Sequence, residues 1–172
     1  MVKAKRVSGS KIEEAVTGFL KHFPFFQSLD KEELAAISEY IDFLEIEEDV
    51  TLFKEGDDGN SVYFVVDGEI AVIKETVSGP RVGISKVVIS TLTKGSTIGE
   101  LSMIDNTPRS ATVETHTEST LVRLTKDGFE SILDKHPRIG IKIFRGLTQL
   151  LSRNLRKTTG RLADYTISQE RL

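Results

Sequence analysis

Residues 99–113 read Gly99-Glu100-Leu101-Ser102-Met103-Ile104-Asp105-Asn106-Thr107-Pro108-Arg109-Ser110-Ala111-Thr112-Val113. A glycine opens the stretch and an acid follows at once, on what reads as a short helical turn. Thr107-Pro108 ends that turn and holds the chain extended just before one arginine. Small and β-branched residues then continue as a strand. Free amides at the start of a helical turn can hold an anion. An arginine presents a planar fork of donors suited to phosphate. A carboxylate accepts hydrogen bonds from sugar hydroxyls. These residues in this order describe a clamp for a phosphate and a sugar.

Outward from this stretch, the chain alternates with a period of two from Phe43 to Leu124. Leu44 and Ile46 alternate with acids, and Val50 to Phe53 follows a Glu48-Asp49 turn. Glu55-Gly56-Asp57-Asp58-Gly59-Asn60 is a strong turn, and Ser61 to Val66 is a strand. Asp67-Gly68 fits a two-residue hairpin, with Glu69 to Lys74 returning. Ser78-Gly79-Pro80-Arg81-Val82-Gly83 is a connector before a strand at Lys86 to Leu92. Two more strands are expected at Ser110 to Thr115 and Thr120 to Leu124. Short strands at spacings near ten residues predict a sandwich or a barrel.

Helical periodicity flanks the strands. Ser10-Lys11-Ile12-Glu13 is a capping-box pattern, and Ile12, Val16, Phe19, Leu20 and Phe23 recur at helical spacing up to Pro24. Asp30-Lys31-Glu32-Glu33 is a second capping box, continued by Leu34, Ile37 and Ile41. After Leu124, Thr125 is placed to cap a helix carrying Phe129, Ile132 and Leu133. Pro137 suits the first position of the next helix. That helix should run to about Thr158, with Gly160 as its stop and Ile143, Leu147, Leu150, Leu151 and Leu155 as its apolar line. The expected division is a loose tail over 1–10, a domain over 11–160 and a C-terminal tail over 161–172.

Composition bounds the function. The 172 residues are 38% hydrophobic and 28% charged, a globular balance, and the chain has no cysteine. Thiolate metal sites, disulfides and cysteine nucleophiles are excluded, which suits a cytoplasmic location. The longest apolar run, Val62 to Val66, is far short of a membrane span. The basic N-terminus lacks the apolar core of a secretion signal. Lys135, Arg138, Lys142, Arg145, Arg153, Arg156, Lys157 and Arg161 occur with no acid between them. They form either a solvated helix face or a surface for an acidic partner or anionic ligand. No GxxxxGK loop, GxGxxG fingerprint or G-x-S-x-G elbow is present. His22, His116 and His136 stand in separate elements without ligand spacing, so no metal site is expected. No catalytic residues emerge, and an enzyme on a cupin-like barrel is argued against.

Gly99-Glu100-Leu101-Ser102 followed by Pro108-Arg109-Ser110-Ala111 resembles the phosphate-binding cassette of the cyclic nucleotide-binding domain family. Phe53-Lys54-Glu55-Gly56-Asp57 and Gly59-Asn60-Ser61-Val62-Tyr63-Phe64-Val65-Val66-Asp67-Gly68 resemble the family's glycine-punctuated early strands. The resemblance covers about residues 11–158. It implies a mainly β fold, an eight-stranded jelly-roll barrel (a double-stranded β-helix) flanked by N- and C-terminal helices. It implies that Glu100 accepts the ribose 2′-hydroxyl and Arg109 pairs with the cyclic phosphate. The amides of Gly99, Leu101 or Ser102, and Ser110 complete the cradle, with Ala111 closing the motif. Ile98 stands where the family often has an aromatic, and Ser102 where alanine is common; both keep the backbone cradle.

In the family a threonine after the arginine often accompanies cGMP, while serine occurs in cAMP binders. Ser110 therefore favours cAMP over cGMP. The base should meet the C-terminal helix, with Leu150 and Asn154 as candidate caps; core packing explains Leu150 equally well. The expected mechanism is a sensor or regulatory module in which nucleotide shifts the flanking helices and so acts on a protein partner. Direct DNA binding is not expected, because about a dozen residues follow Gly160. Ile143, Leu147, Leu150 and Asn154 follow a 4-3-4 spacing that suits either a homodimer through this helix or packing on its own barrel. The alternative function is a structural or interaction module that binds no ligand.

Overall fold

The strand from Ser61 to Asp67 is buried along most of its length, and the rest of the fold is arranged on its two faces. The computed structural model describes residues 5–6, 19–77, 84–105 and 107–169. Among them the elements run β1 (Lys5–Arg6), α1 (Lys31–Ile37), a 3₁₀ turn (Ser38–Tyr40), β2 (Ile41–Ile46), β3 (Thr51–Phe53), β4 (Ser61–Asp67), β5 (Ile70–Val77) and β6 (Ile84–Leu92). They continue as β7 (Thr97–Ile98), α2 (Ser102–Asp105), β8 (Thr112–Thr115), β9 (Ser119–Thr125), α3 (Lys126–Lys135) and α4 (Pro137–Gln169). Two antiparallel sheets result, one ordered β1-β2-β9-β4-β7 and one ordered β3-β8-β5-β6.

Alternation in β4 explains how these layers stack. Side chains of successive residues point to opposite faces of a sheet. Val62 and Phe64 join the cluster that contains Phe23, Phe25, Leu34 and Ile143. Tyr63 and Val65 join Leu44, Ile98 and Leu121 of the same sheet against Leu52, Ile70 and Val113 of the other. The first sheet is thus covered by helices on one face and by the second sheet on the other. That double coverage is why Val62–Val66 is a continuous apolar run rather than an alternating one.

Helix boundaries follow local chemistry. At α1 the Glu33 amide donates to Asp30 Oδ1 at 2.9 Å and the Asp30 amide donates to Glu33 Oε2 at 2.9 Å, closing the expected capping box. The same Glu33 carboxylate accepts from Lys142 Nζ at 2.7 Å, which ties α1 to α4. The Gly128 amide donates to Thr125 Oγ1 at 3.0 Å to start α3, and Pro137 opens α4.

Several expectations are corrected. Asp67-Gly68 is not a hairpin: β4 pairs with β7 and β9, while β5 pairs with β6 and β8, so this turn is a corner between sheets. Beside the eight strands β2 to β9, Lys5–Arg6 pairs with Glu45 and Leu44 on the edge of β2, where a loose tail was expected. The helix before Pro24 gives way after Leu20 to turns in which the amides of His22 and Phe23 donate to the carbonyls of Phe19 and Leu20, so it ends short of Phe23. Gly160 does not stop α4, which continues to Gln169 and takes in most of the expected C-terminal tail. A mid-helix glycine costs only about 1 kcal/mol against alanine, and good helix formers flank it at Arg156, Lys157, Leu162 and Ala163. The Ser10 capping box with Ile12 and Val16, the connector 78–83, Asn106 and residues 170–172 lie outside the described residues. Among the described residues no helix is long and apolar enough to cross a membrane.

Gly146 seats α4 on the chain before α1. A Cβ there would stand 2.2 Å from the Pro24 carbonyl oxygen and 2.7 Å from Phe25 Cα, and backbone atoms cannot rotate aside. Helix propensity alone favours Gly146→Ala by about 1 kcal/mol. The clash opposes it, and overpacking of this kind costs about 1–3 kcal/mol. Denaturant unfolding should therefore show a net loss of stability in Gly146→Ala; a gain would mean that α4 does not rest on Pro24.

Candidate functional site

Arg109 is the least ordinary residue of the interior: a charged side chain 4% exposed. Its backbone is pinned on both sides, since its amide donates to the Asp57 carbonyl at 2.8 Å and its carbonyl accepts from the Gly56 amide at 2.9 Å. Its Nη2 donates to the Ser61 carbonyl at 2.8 Å and its Nη1 to the Gly99 carbonyl at 3.1 Å. The guanidinium carbon lies 4.1 Å from the centre of the Phe53 ring, a cation–π contact. Phe53-Lys54-Glu55-Gly56-Asp57 and the stretch around Arg109 are thus one unit: the first supplies a ring and two backbone pins for the second. Phe53 was missed as a site residue, although it heads a segment already singled out.

No carboxylate among the described residues pairs directly with the Arg109 charge. Nε is buried and has no hydrogen-bond partner. Burial pulls its pKa below the usual value, opposed by the charges of Tyr63, Asp57 and Glu100. A buried cation held by carbonyls and a ring is an electrostatic debt that an anion in the adjacent space would settle.

Gly99 makes this arrangement sterically possible. Its φ is +80°, in the left-handed region open to glycine. A Cβ there would stand 2.2 Å from Arg109 Nη1. Glu100 follows on the turn into α2, where the Met103 amide donates to the Glu100 carbonyl at 3.3 Å. The amides of Leu101 and Ser102 precede this first helical bond, so the helix itself does not use them. Burial lifts the Glu100 carboxyl above its ordinary pKa. Its own amide, the Asn154 amide and the Arg109 charge act against that rise.

These groups share a cavity of about 220 Å³. Gly99, Glu100, Leu101, Ser102, Arg109, Ser110 and Ala111 all line it, so the structure brings together every residue of the expected cradle. Its apolar side comes from Phe53, Val72, Leu92, Ile98 and Val113. Val72 and Leu92 sit on β5 and β6, distant in sequence, and no local signal marked them. Of the two candidate caps, Asn154 lines the cavity, whereas Leu150 packs against the helical core. Asn154 Nδ2 donates to Glu100 Oε1 at 3.2 Å. Among the described residues no group of three or more His, Cys, Asp or Glu side chains could hold a metal ion.

The model of the cyclic nucleotide-binding domain matches residues 43–136, more than half of the chain. The chain belongs to the cyclic nucleotide-binding domain family. The match runs from β2 through α3 and includes the whole cassette. Among curated relatives, the cAMP-dependent protein kinase regulatory subunit of Aspergillus fumigatus is 31% identical over 115 residues, covering 67% of this chain and 26% of that protein. The chain therefore spans about a quarter of that relative's length. Among solved structures, a cyclic nucleotide-binding domain from Methylobacillus flagellatus is 28% identical with a TM-score of 0.79, covering 94% of this chain and 89% of that one. The regulatory domain of Toxoplasma gondii PKA, solved with cAMP, is 29% identical with a TM-score of 0.63, covering 73% and 46%.

Proposed function

We propose that this chain binds a 3′,5′-cyclic nucleotide, with cAMP favoured over cGMP, and acts as a regulatory module through its flanking helices. The observation that carries this reading is the buried Arg109, its Nε without a hydrogen-bond partner, beside Glu100 in one cavity. Arg109 would take the cyclic phosphate and Glu100 the ribose 2′-hydroxyl. The amides of Gly99, Leu101 or Ser102, and Ser110 would complete the cradle, and the apolar wall would receive the base. In this reading the two sheets are halves of the family's jelly-roll barrel, over residues 11–160. Regulatory output goes to a protein partner in the cytoplasm, in keeping with relatives named as kinase regulatory subunits.

Helix α4 is the element that transmits occupancy. Ile143 and Leu147 bury it in the helical core, while residues 153–164 are exposed. Nucleotide that touches both cassette and helix favours the docked arrangement, by no more than its differential affinity for the two states. The exposed end is free for a partner or a second copy. Calorimetry with cAMP and with cGMP tests the reading; binding of neither at millimolar concentration would sink it.

Glu100 adds a pH test with a determined sign. An ionised carboxylate accepts the sugar hydroxyl more strongly than a protonated carboxyl does, and burial raises the pKa of this one above its ordinary value. Affinity should fall as pH drops through that raised value, and Glu100→Gln should weaken binding and flatten the pH profile. The folded state binds this proton more tightly than the unfolded chain does. The contribution of Glu100 to stability is therefore fully present below the ordinary carboxylate pKa and is lost as pH rises through the raised one. At neutral pH Glu100→Gln should consequently raise the melting temperature while weakening the nucleotide. A variant that lost both stability and binding would contradict this account.

A further inference from the structure

The contact between Asn154 and Glu100 assigns the helix residue a role other than capping the base. Past Asn154 the side chains of α4 are exposed through Asp164, so Asn154 is the last point at which the helix touches the site. What it touches is the carboxylate oxygen, Glu100 Oε1, at 3.2 Å. An ionised carboxylate has two oxygens and about four acceptor positions. A donor fixed on Oε1 holds the plane of the group and leaves Oε2 for a second donor. We propose that Asn154 is a positioning residue for the ribose-binding carboxylate, so that the lid helix reads the sugar and not the base. This rests on the nucleotide-binding function proposed above.

The side-chain chemistry suits that role. Asn154 offers a neutral amide donor, which steadies an ionised carboxylate without adding a second charge beside it. Glu100 accepts one hydrogen bond, from the Asn154 amide on α4, and feels the Arg109 charge of the cassette without bonding to it. Of charged groups, it is the Arg109 guanidinium that acts on it. A carboxylate whose orientation is already fixed by one donor loses less freedom when it meets a second. A sugar hydroxyl that bonds Glu100 therefore strengthens the hold on α4, and a docked α4 strengthens the hold on the sugar. This gives the helix a differential affinity for occupied and empty cassettes without any contact to adenine or guanine.

Asn154→Leu keeps a side chain of similar size and removes the donor. Two ratios separate the readings: affinity for cAMP over 2′-deoxy-cAMP, which isolates the 2′-hydroxyl, and affinity for cAMP over cGMP, which isolates the base. In the unmodified chain a hydrogen bond to a charged group makes the first ratio roughly tenfold to a hundredfold. Asn154→Leu should cut that ratio by about three- to tenfold while leaving the cAMP to cGMP ratio unchanged. A changed base ratio with an intact 2′-hydroxyl ratio would make Asn154 a base cap and overturn the proposal. If neither ratio moved, Asn154 would only secure the helix, which overturns it equally. A readout without nucleotide separates this failure from failure of the function. Followed by NMR in the free chain, Glu100 should titrate at higher pH in Asn154→Leu than in the unmodified chain, since a bond that favours the ionised form is lost. An unchanged titration overturns the Asn154–Glu100 link even if nucleotide binds.

Discussion

Arg109→Ala should weaken cyclic-nucleotide binding by about 2–5 kcal/mol, because it strands a phosphate in a buried site without its cation. Ribose and base contacts survive the substitution, so residual affinity should no longer depend on the phosphate charge. Isothermal titration gives the answer directly, and unchanged affinity would show that Arg109 is not the phosphate ligand. The variant should also remain folded. Alanine removes a buried charge whose Nε has no partner, and that relief offsets the lost bonds to the Ser61 and Gly99 carbonyls and the lost stacking on Phe53. A thermal melt beside the titration distinguishes loss of the ligand contact from loss of the fold.

The second large effect concerns the support of the lid. Phe64 is fully buried, and its ring centroid lies 5.1 Å from Phe23, 5.0 Å from Phe25 and 4.9 Å from Phe26. Three aromatic rings from the segment before α1 therefore close on one ring of β4. Removing such a ring costs about 3–5 kcal/mol, the sum of lost burial and the cavity left behind. Phe64→Ala should show that loss in denaturant unfolding. Because Phe25 also lies under Gly146, the same variant should loosen α4 before the sheets unfold, which hydrogen exchange along α4 would register. A loss under about 1 kcal/mol would mean the aromatic cluster is not closed around Phe64.

Much of the site was legible because its parts lie close together in the chain. Gly99, Glu100 and Arg109 span eleven positions, and the glycine, the acid and the proline-fixed arginine each carry their own chemical signature. Helix starts were legible for the same reason: Asp30 with Glu33, Thr125 with Gly128, and Pro137 act through bonds or φ constraints within a few residues. The failures share a different cause. Asp67-Gly68 has the composition of a hairpin, yet β5 bonds to β6 and β8 and leaves β4 to β7 and β9. A turn dictates a change of direction, not which strand lies beside the next one. Gly160 has the composition of a helix stop, but a penalty of about 1 kcal/mol is small against a helix already nucleated by buried packing at Ile143 and Leu147.

By itself, then, the amino-acid sequence determined the family, the cassette and the chemistry of its two charged residues, since each depends on side chains and backbone preferences expressed over a few positions. Only the tertiary structure decided that Phe53 lies beneath Arg109, that Val72 and Leu92 wall the cavity, and that Asn154 rather than Leu150 reaches Glu100. The Phe53–Arg109 and Asn154–Glu100 contacts join residues 56 and 54 positions apart. They exist because two sheets and a long helix bury their apolar faces together, and which polar atoms then meet is set by that packing, not by any local pattern.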